Sequence, residues 1–379
     1  MTRIALSSAL IATVALASPA VAQDRGAAPQ SLSADAFAQF APQPDGTMTK
    51  LDFAYWDTAL NWFVLRMGRS LREYEGGPLA QTGTRMVYGH DSPYRLEGNR
   101  VAFSMMPEDV RQALTDYRRD LESLPDSVPL ARLVRNEQLA YWINLHNVAV
   151  IEQIALAYPV GSPSLVRPGD GALPLDETPF ITVAGVKMSP QDIRTRIVYP
   201  NWRDPKVMYG FWHGDIGGPS ISRSAFTAAT VDALLDDLAS EFVNSLRGVQ
   251  RSGDTLLVSR LYLETRPFFF PGWPNDLRAH IAKYAEADVG GLLAETSAVD
   301  PRIAEIDIAD LSKGETQPNL TNLTSNGEYQ SMLVDGTVAR LLTERKEKLE
   351  RSRRENVREG RVIVLPSGEV PAEQTKTVE

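Results

Sequence analysis

The stretch "NEQLAYWINLHNVAV" (residues 136–150) places Asn144, His146 and Asn147 among Tyr141, Trp142, Ile143, Leu145, Val148 and Val150. Apolar residues lie on most of its circumference, so the spacing predicts a helix over 131–158 that is buried on most sides. Pro159 and the Gly/Ser/Pro cluster behind it end the helix. Two amides in such a setting need partners for two donors and an acceptor each, or they cost a few kcal/mol. Asn144 and Asn147 stand about 60° apart on a helix, on one side of it. The expected partners are backbone groups of an irregular loop, which the amides would hold against the helix. Direct contact with a ligand is the sharper alternative. His146 points to a different side and reads more simply as a core histidine with satisfied nitrogens.

Outward from this helix the chain reads as helix-rich α+β, a single main domain with a small antiparallel sheet. Residues 51–71 and 107–124 repeat apolar residues at helical spacing, the second with Pro107 at its start. Ile181 and Val183 alternate into Ala184-Gly185, and Val186 and Met188 follow, which predicts a hairpin. Ser189-Pro190-Gln191-Asp192 is a capping box with Pro at the first helical position, so a helix starts there. An amphipathic helix is expected within 224–247 with Gly248 closing it, a strand over 255–263, and a helix over 275–285.

The loop that could carry chemistry is "YGFWHGDIGGPSIS" (209–222). Gly210, Gly214, Gly217 and Gly218 allow tight turning or close approach of the backbone. His213 and Asp215 lie in the middle, with Ser220 and Ser222 beyond them. A His–Asp pair with a hydroxyl nearby suits general acid–base work. The plainer alternative is a compact turn whose polar side chains satisfy its own backbone. Neighbours at i and i+2 on a loop seldom form the hydrogen bond that a triad needs. His90 and His280 lack metal-ligand spacing, and no metalloprotease, phosphate-loop, dinucleotide or nucleophile-elbow motif occurs. No metal and no cofactor is therefore expected.

At the ends the sequence changes character. Arg3, a short apolar run and Ala20-Val21-Ala22 form the pattern of a secretory signal peptide cleaved after Ala22, so a periplasmic or secreted location is expected. The run is too short to span a bilayer, which takes about 20 residues, and no later stretch approaches that length. Residues 23–47 read as a loosely ordered lead-in with one short helix. Loss of Arg3 leaves 38 Lys+Arg against 48 Asp+Glu, a net charge of −10. That balance disfavours nucleic acid and anionic membrane surfaces as partners. The absence of Cys rules out disulfides, thiol catalysis and thiolate metal sites. Residues 343–361 carry eight Lys/Arg and five Glu, with Glu344–Lys348, Glu347–Arg351 and Glu350–Arg354 at i,i+4. They read as a solvated helix in a charged extension, 311–379, or as an interaction arm for an envelope partner.

"LAYWINLHNVAVIEQIALAYPVGSPS" (139–164) resembles the signature helix of the domain-of-unknown-function 547 family, with its aromatic-Trp-Ile-Asn-Leu-Tyr-Asn core and Tyr-Pro exit. The hairpin and Ser-started helix, the loop beginning Asp204-Pro205, "EFVNSLRGV" and "LLVSRLYL" continue the likeness, so it spans roughly residues 48 to 290 and implies one domain over 48–310. The resemblance implies a role for Trp142, Asn144 and Asn147, with His146 where Tyr is usual. It also marks departures. Arg194-Thr195 stand where Glu-His is common, Met208 where His is, and His213 and Gly218 where cysteines occur. The family carries no assigned activity.

These readings converge on a cleft between helix 131–158 and loop 204–222, with binding residues Asn144, Asn147, Trp142, His146, Gly217, Gly218 and Ser220 and candidate catalytic residues His213 and Asp215. The first expectation is a binding protein for a small molecule or an envelope protein. The alternatives are a hydrolase or transferase using His213 and Asp215, and a structural partner acting through a helix within 338–361. Of two adjacent glycines, Gly217 is expected to be the constrained one.

Overall fold

A computed structural model describes residues 34–43, 49–77, 89–169, 171–315, 320–324 and 331–358. The signal-peptide segment 1–22, most of the lead-in and the tail beyond 358 lie outside these residues. In order, the described chain contains α1 (Ala34–Ala38), α2 (Ala54–Phe63), β1 (Val64–Leu65), β2 (Arg100–Val101), α3 (Glu108–Ser123) and α4 (Arg135–Ala157). Next come β3 (Ile181–Val183), β4 (Val186–Met188), α5 (Pro190–Asp192), α6 (Tyr199–Asn201), α7 (Val231–Val243), β5 (Val249–Ser252) and β6 (Thr255–Ser259). The chain continues with α8 (Leu261–Phe269), α9 (Asn275–Tyr284), α10 (Ala287–Ala294), β7 (Ala298–Ile303), β8 (Leu320–Thr324), β9 (Ser331–Asp335) and α11 (Gly336–Arg358). This is a helix-rich α+β fold. Among the described residues no helix is long and apolar enough to cross a membrane.

The core is built on α4. From Glu137 to Glu152 every residue of that helix is buried. Trp142 packs edge-on against Tyr141 and Phe40, which brings residues 34–43 down onto the helix; that part of the lead-in is therefore not loose. α3 runs beside α4 and is tied to it by Arg118, whose Nε donates to Glu152 at 2.6 Å. The hairpin forms as its sequence requires: Ile181 pairs with Met188 and Val183 with Val186, and Ala184 and Gly185 both take positive φ in the turn. The capping box closes too, Ser189 Oγ accepting from Asp192 N at 3.1 Å and Asp192 Oδ2 from Ser189 N at 2.9 Å. Beyond it the backbone winds as a π-helix over Ile193–Val198, a form that often marks a functional site.

Several expectations change. The helix expected over 51–71 ends at Phe63, and that expected within 224–247 ends at Val243. Gly248 serves close approach instead of closing a helix, since a Cβ there would sit 2.0 Å from Phe242 O. The segment 255–263 is a strand only to Ser259, after which α8 begins. The three-stranded sheet is mixed: β5–β6 is antiparallel, but β6–β7 is parallel.

A further change concerns α11, which is not a solvated extension. Val338 and Leu341 are buried against Met67, Leu96 and Leu311. Lys348 is buried and its Nζ donates to Leu96 O at 2.6 Å. Glu344 pairs with Arg95 at 2.8 Å, and Arg351 with Glu75 at 3.2 Å and Glu73 at 3.4 Å, so these charges reach across to the body of the protein.

Candidate functional site

Asn147 secures the Gly-rich loop to α4. Its Nδ2 donates to Gly210 O at 2.9 Å and its Oδ1 accepts from Trp212 N at 3.0 Å. Asn144 makes the same two-sided pairing with one residue further on, donating to Phe226 O at 2.8 Å and accepting from Phe226 N at 3.1 Å. Its partner thus lies just past the 204–222 loop. Both amides are buried beneath the backbone that they bind, so α4 and the loop are packed closely together there.

His146 completes this layer. Its Nε2 lies 3.0 Å from Arg194 Nη1, and a guanidinium can only donate, so Nε2 must accept. The proton is therefore on Nδ1, which donates to Asn147 Oδ1 at 3.0 Å. Burial and the Arg194 charge hold this imidazole well below its ordinary pKa, in agreement with a neutral ring. Arg194 is fully buried and bonds both oxygens of Asp176, at 2.6 and 2.7 Å, and Glu264 at 3.0 Å. Burial alone would raise the Asp176 pKa, but the Arg194 guanidinium outweighs it and holds that carboxylate ionised.

The opposite side of the loop is open. His213, Asp215, Gly217 and Gly218 line a pocket of about 180 Å³ whose other walls are Ser259, Arg260, Leu261 and Glu264, and Ile303 to Ile306. The second of these walls forms because residues 305–309 run beside the loop as a partner strand would. Ile216 N donates to Asp307 O at 2.9 Å, Gly217 N to Glu305 O at 3.0 Å, and Ala309 N to Gly214 O at 2.8 Å. Gly214 adopts φ +91°, a conformation that disfavours any side chain. A Cβ on Gly217 would meet Glu305 O at 2.4 Å, so this position is constrained by close approach. A Cβ on Gly218 would instead project between Asp215 Oδ1, at 3.0 Å, and His213 Cβ, at 3.6 Å.

The two titratable groups of the loop are in unusual states. Burial pushes the Asp215 carboxyl up to about 7, against the opposing pull of Gly218 N–H and Arg247. Its Oδ1 accepts from Gly218 N at 2.6 Å, and among the described residues no protein donor reaches its other oxygen. Burial, with the Arg194 charge behind it, lowers the His213 pKa and favours a neutral ring, whose Nε2 has no hydrogen-bond partner among the described residues. Glu264 is engaged by Arg194, and Glu305 accepts from Ser92 Oγ at 2.7 Å. Among the described residues no three His, Asp or Glu side chains are placed to hold a metal ion.

Of the residues singled out in the sequence, the structure brings His213, Asp215, Gly217 and Gly218 together. Asn144, Asn147 and His146 lie beneath them as scaffold, and Trp142 belongs to the aromatic core. Ser220 is buried away from the pocket and spends its hydroxyl on Glu241, 3.0 Å away, while accepting from Asn99 N. Arg260, Glu264, Glu305, Asp176 and Arg194 are the residues that sequence reading missed. Arg194 had a signal, since it stands where the resemblance leads one to expect Glu.

The fold and the pocket define a helix-rich α+β protein with a small, acid-lined site set on a buried signature helix. Residues 130–243 match the model of the family described as "Protein of unknown function, DUF547", which bears out the resemblance over that span. The match holds α4, the hairpin, the π-helical turn, the pocket loop and α7; the walls at 259–264 and 303–306 lie beyond it. No curated protein and no solved structure matches the chain.

Proposed function

We propose that this is an exported binding protein whose pocket at His213, Asp215 and Glu264 takes a small molecule with a cationic or hydrogen-bond-donating head and a short apolar body. The observation that carries the reading is the Asp215 carboxyl, half-buried at the pocket wall with one oxygen lacking a donor among the described residues. A buried carboxylate without a cation is costly, so a ligand that brings one gains more there than it would in water. Glu264 and Glu305 reinforce the preference, and Leu261, Ile303, Ala304 and Ile306 offer apolar contact. Residues 1–22, with the signal-peptide pattern, support export; a mature N-terminus other than Gln23 on sequencing would count against it.

The test is a titration with butylammonium, butyramide and butyrate, followed by NMR at His213 and at the 214–218 amides. Butylammonium should move these signals most, more strongly at pH 8 than at pH 6, and Asp215→Asn should weaken it at least tenfold. Stronger binding of butyrate, or no effect of Asp215→Asn, would reject the reading.

The hydrolase or transferase alternative draws on the same pair: a carboxyl that titrates near neutrality and a neutral imidazole share one pocket, as acid–base catalysis requires. Turnover of ester or amide probes that is lost in His213→Gln would favour it. A partner-binding C-terminal helix has less support, because Val338, Leu341 and Lys348 of α11 are already committed to the body.

A further inference from the structure

The pocket loop is gripped from a second direction, by a residue that does not itself line the pocket. Arg247 follows α7 and is almost wholly buried. Its Nη1 donates to Gly218 O at 2.6 Å and reaches Ile216 O at 3.4 Å. Its Nη2 donates to Ser220 Oγ at 3.0 Å and pairs with the Glu241 carboxylate. The backbone on either side is fixed in turn, since the Glu97 carboxylate accepts from Leu246 N and Arg247 N, each at 3.1 Å. The turn that carries Glu97 makes room for the guanidinium with a glycine. Gly98 adopts φ +68°, and a Cβ there would lie 2.4 Å from Arg247 Nη1.

We propose that Arg247 is the positioning residue of the pocket: by binding the carbonyls of Ile216 and Gly218 from behind, it turns the 216–218 backbone so that Gly218 N–H meets Asp215 and the carboxyl faces the cavity. The proposal rests on the pocket being the functional site, but its mechanics do not depend on which ligand binds. A planar guanidinium is suited to the task because it offers several donors in one fixed fork, which an ammonium does not.

Arg247 also acts through its charge. The groups that face Asp215 are Gly218 N–H and Arg247, which favour the carboxylate, and Asp176 and Glu305, which oppose it together with burial. His213, Glu264 and Arg260 share the pocket. Arg247 is the cation that lowers the Asp215 pKa, so its removal should make Asp215 harder to ionise.

The experiment compares the parent protein with Arg247→Lys and Arg247→Gln. It reads the Asp215 carboxyl by carbon-13 NMR titration, assigned by its absence in Asp215→Asn, and amide exchange at Gly217 and Gly218. Arg247→Gln should raise the Asp215 midpoint by about half to one pH unit and speed exchange at both glycines about tenfold. Arg247→Lys should leave the midpoint near the parent value yet still speed exchange, because the charge remains and the bridge is lost. Should Arg247→Gln fail to fold, Arg247→Lys decides by exchange alone. Folded variants with parental exchange and midpoint would overturn the proposal. No ligand is needed, so a pocket that binds none of the probes would reject the binding reading and leave this result standing.

Discussion

The Gly-rich loop shows two faces to two different neighbours. Its first part, Gly210 to Trp212, presents backbone groups to Asn147 and is closed off. Its second part, His213 to Gly218, pairs with 305–309 along one edge and leaves side chains facing a cavity. Both parts are glycine-rich and aromatic- or acid-bearing, and composition does not separate them. What separates them is saturation. On the inner face the Asn147 amide is bonded on both sides; on the outer face, among the described residues, Asp215 keeps an oxygen, and His213 a nitrogen, without a partner. Substitutions on the inner face should therefore act through stability, and those on the outer face through binding.

The largest effect is expected on the inner face. Asn147→Ala removes the partners of Gly210 O, Trp212 N and His146 Nδ1 at once, in a buried site. It should cost about 2–3 kcal/mol, read as a lowered melting temperature or denaturation midpoint. Asn144→Ala strands only the two backbone groups of Phe226 and should cost about 1–2 kcal/mol. Parental melting of both variants would break the distinction between the faces.

The adjacent glycines place the comparison inside a single dipeptide. Gly217→Ala drives a Cβ into the Glu305 backbone, which cannot rotate away as a side chain could, so the 303–306 wall must shift. A cost of about 1–2 kcal/mol is expected, with lowered melting. Gly218→Ala meets only the Asp215 carboxylate and the His213 side chain, both on the pocket side. Its melting should stay within about 0.5 kcal/mol of the parent, as for substitutions away from a packed core, while butylammonium binding falls. Reversed effects in the two variants would place the functional face on the wrong side of the dipeptide.

Much of the inner face was legible in the sequence, because two amides in an apolar helix must bond to something and an irregular loop was the available backbone. The hairpin and the capping box were legible for the same reason: each is closed by residues within a few positions of one another. The outer face was legible by half. His213 and Asp215 stand out in their loop, but the opposing wall comes from the β6–α8 junction and from a segment after β7. No local pattern marks either, and reading 255–263 as one strand put Arg260 in the wrong element and left Glu264 just beyond it. α11 teaches a related lesson. Its buried positions, Thr337, Val338, Leu341, Lys348 and Ser352, fall along one helix, yet only two are apolar. Lys348 satisfies its ammonium on Leu96 O inside the body, an option that a charge count cannot show.

The prediction that sharpens the comparison most is the pH dependence of stability at Asp215. An ordinary aspartate in the unfolded chain titrates near 4, whereas burial holds this one up to about 7 in the folded protein. Between these values the folded state keeps a proton that the unfolded state has lost. Stability from this group is therefore full at the acid end of the window and falls as pH rises towards the folded value. This is the opposite of an ion-paired carboxylate such as Asp176, whose contribution falls on acidification. Asp215→Asn retains an oxygen to accept from Gly218 N and cannot ionise. Its melting temperature should match the parent at pH 4 and exceed it at pH 8, with the gap opening between. A gap that opens in the other direction, or none at any pH, would mean that Asp215 has a partner in solution and that the outer face is as saturated as the inner one.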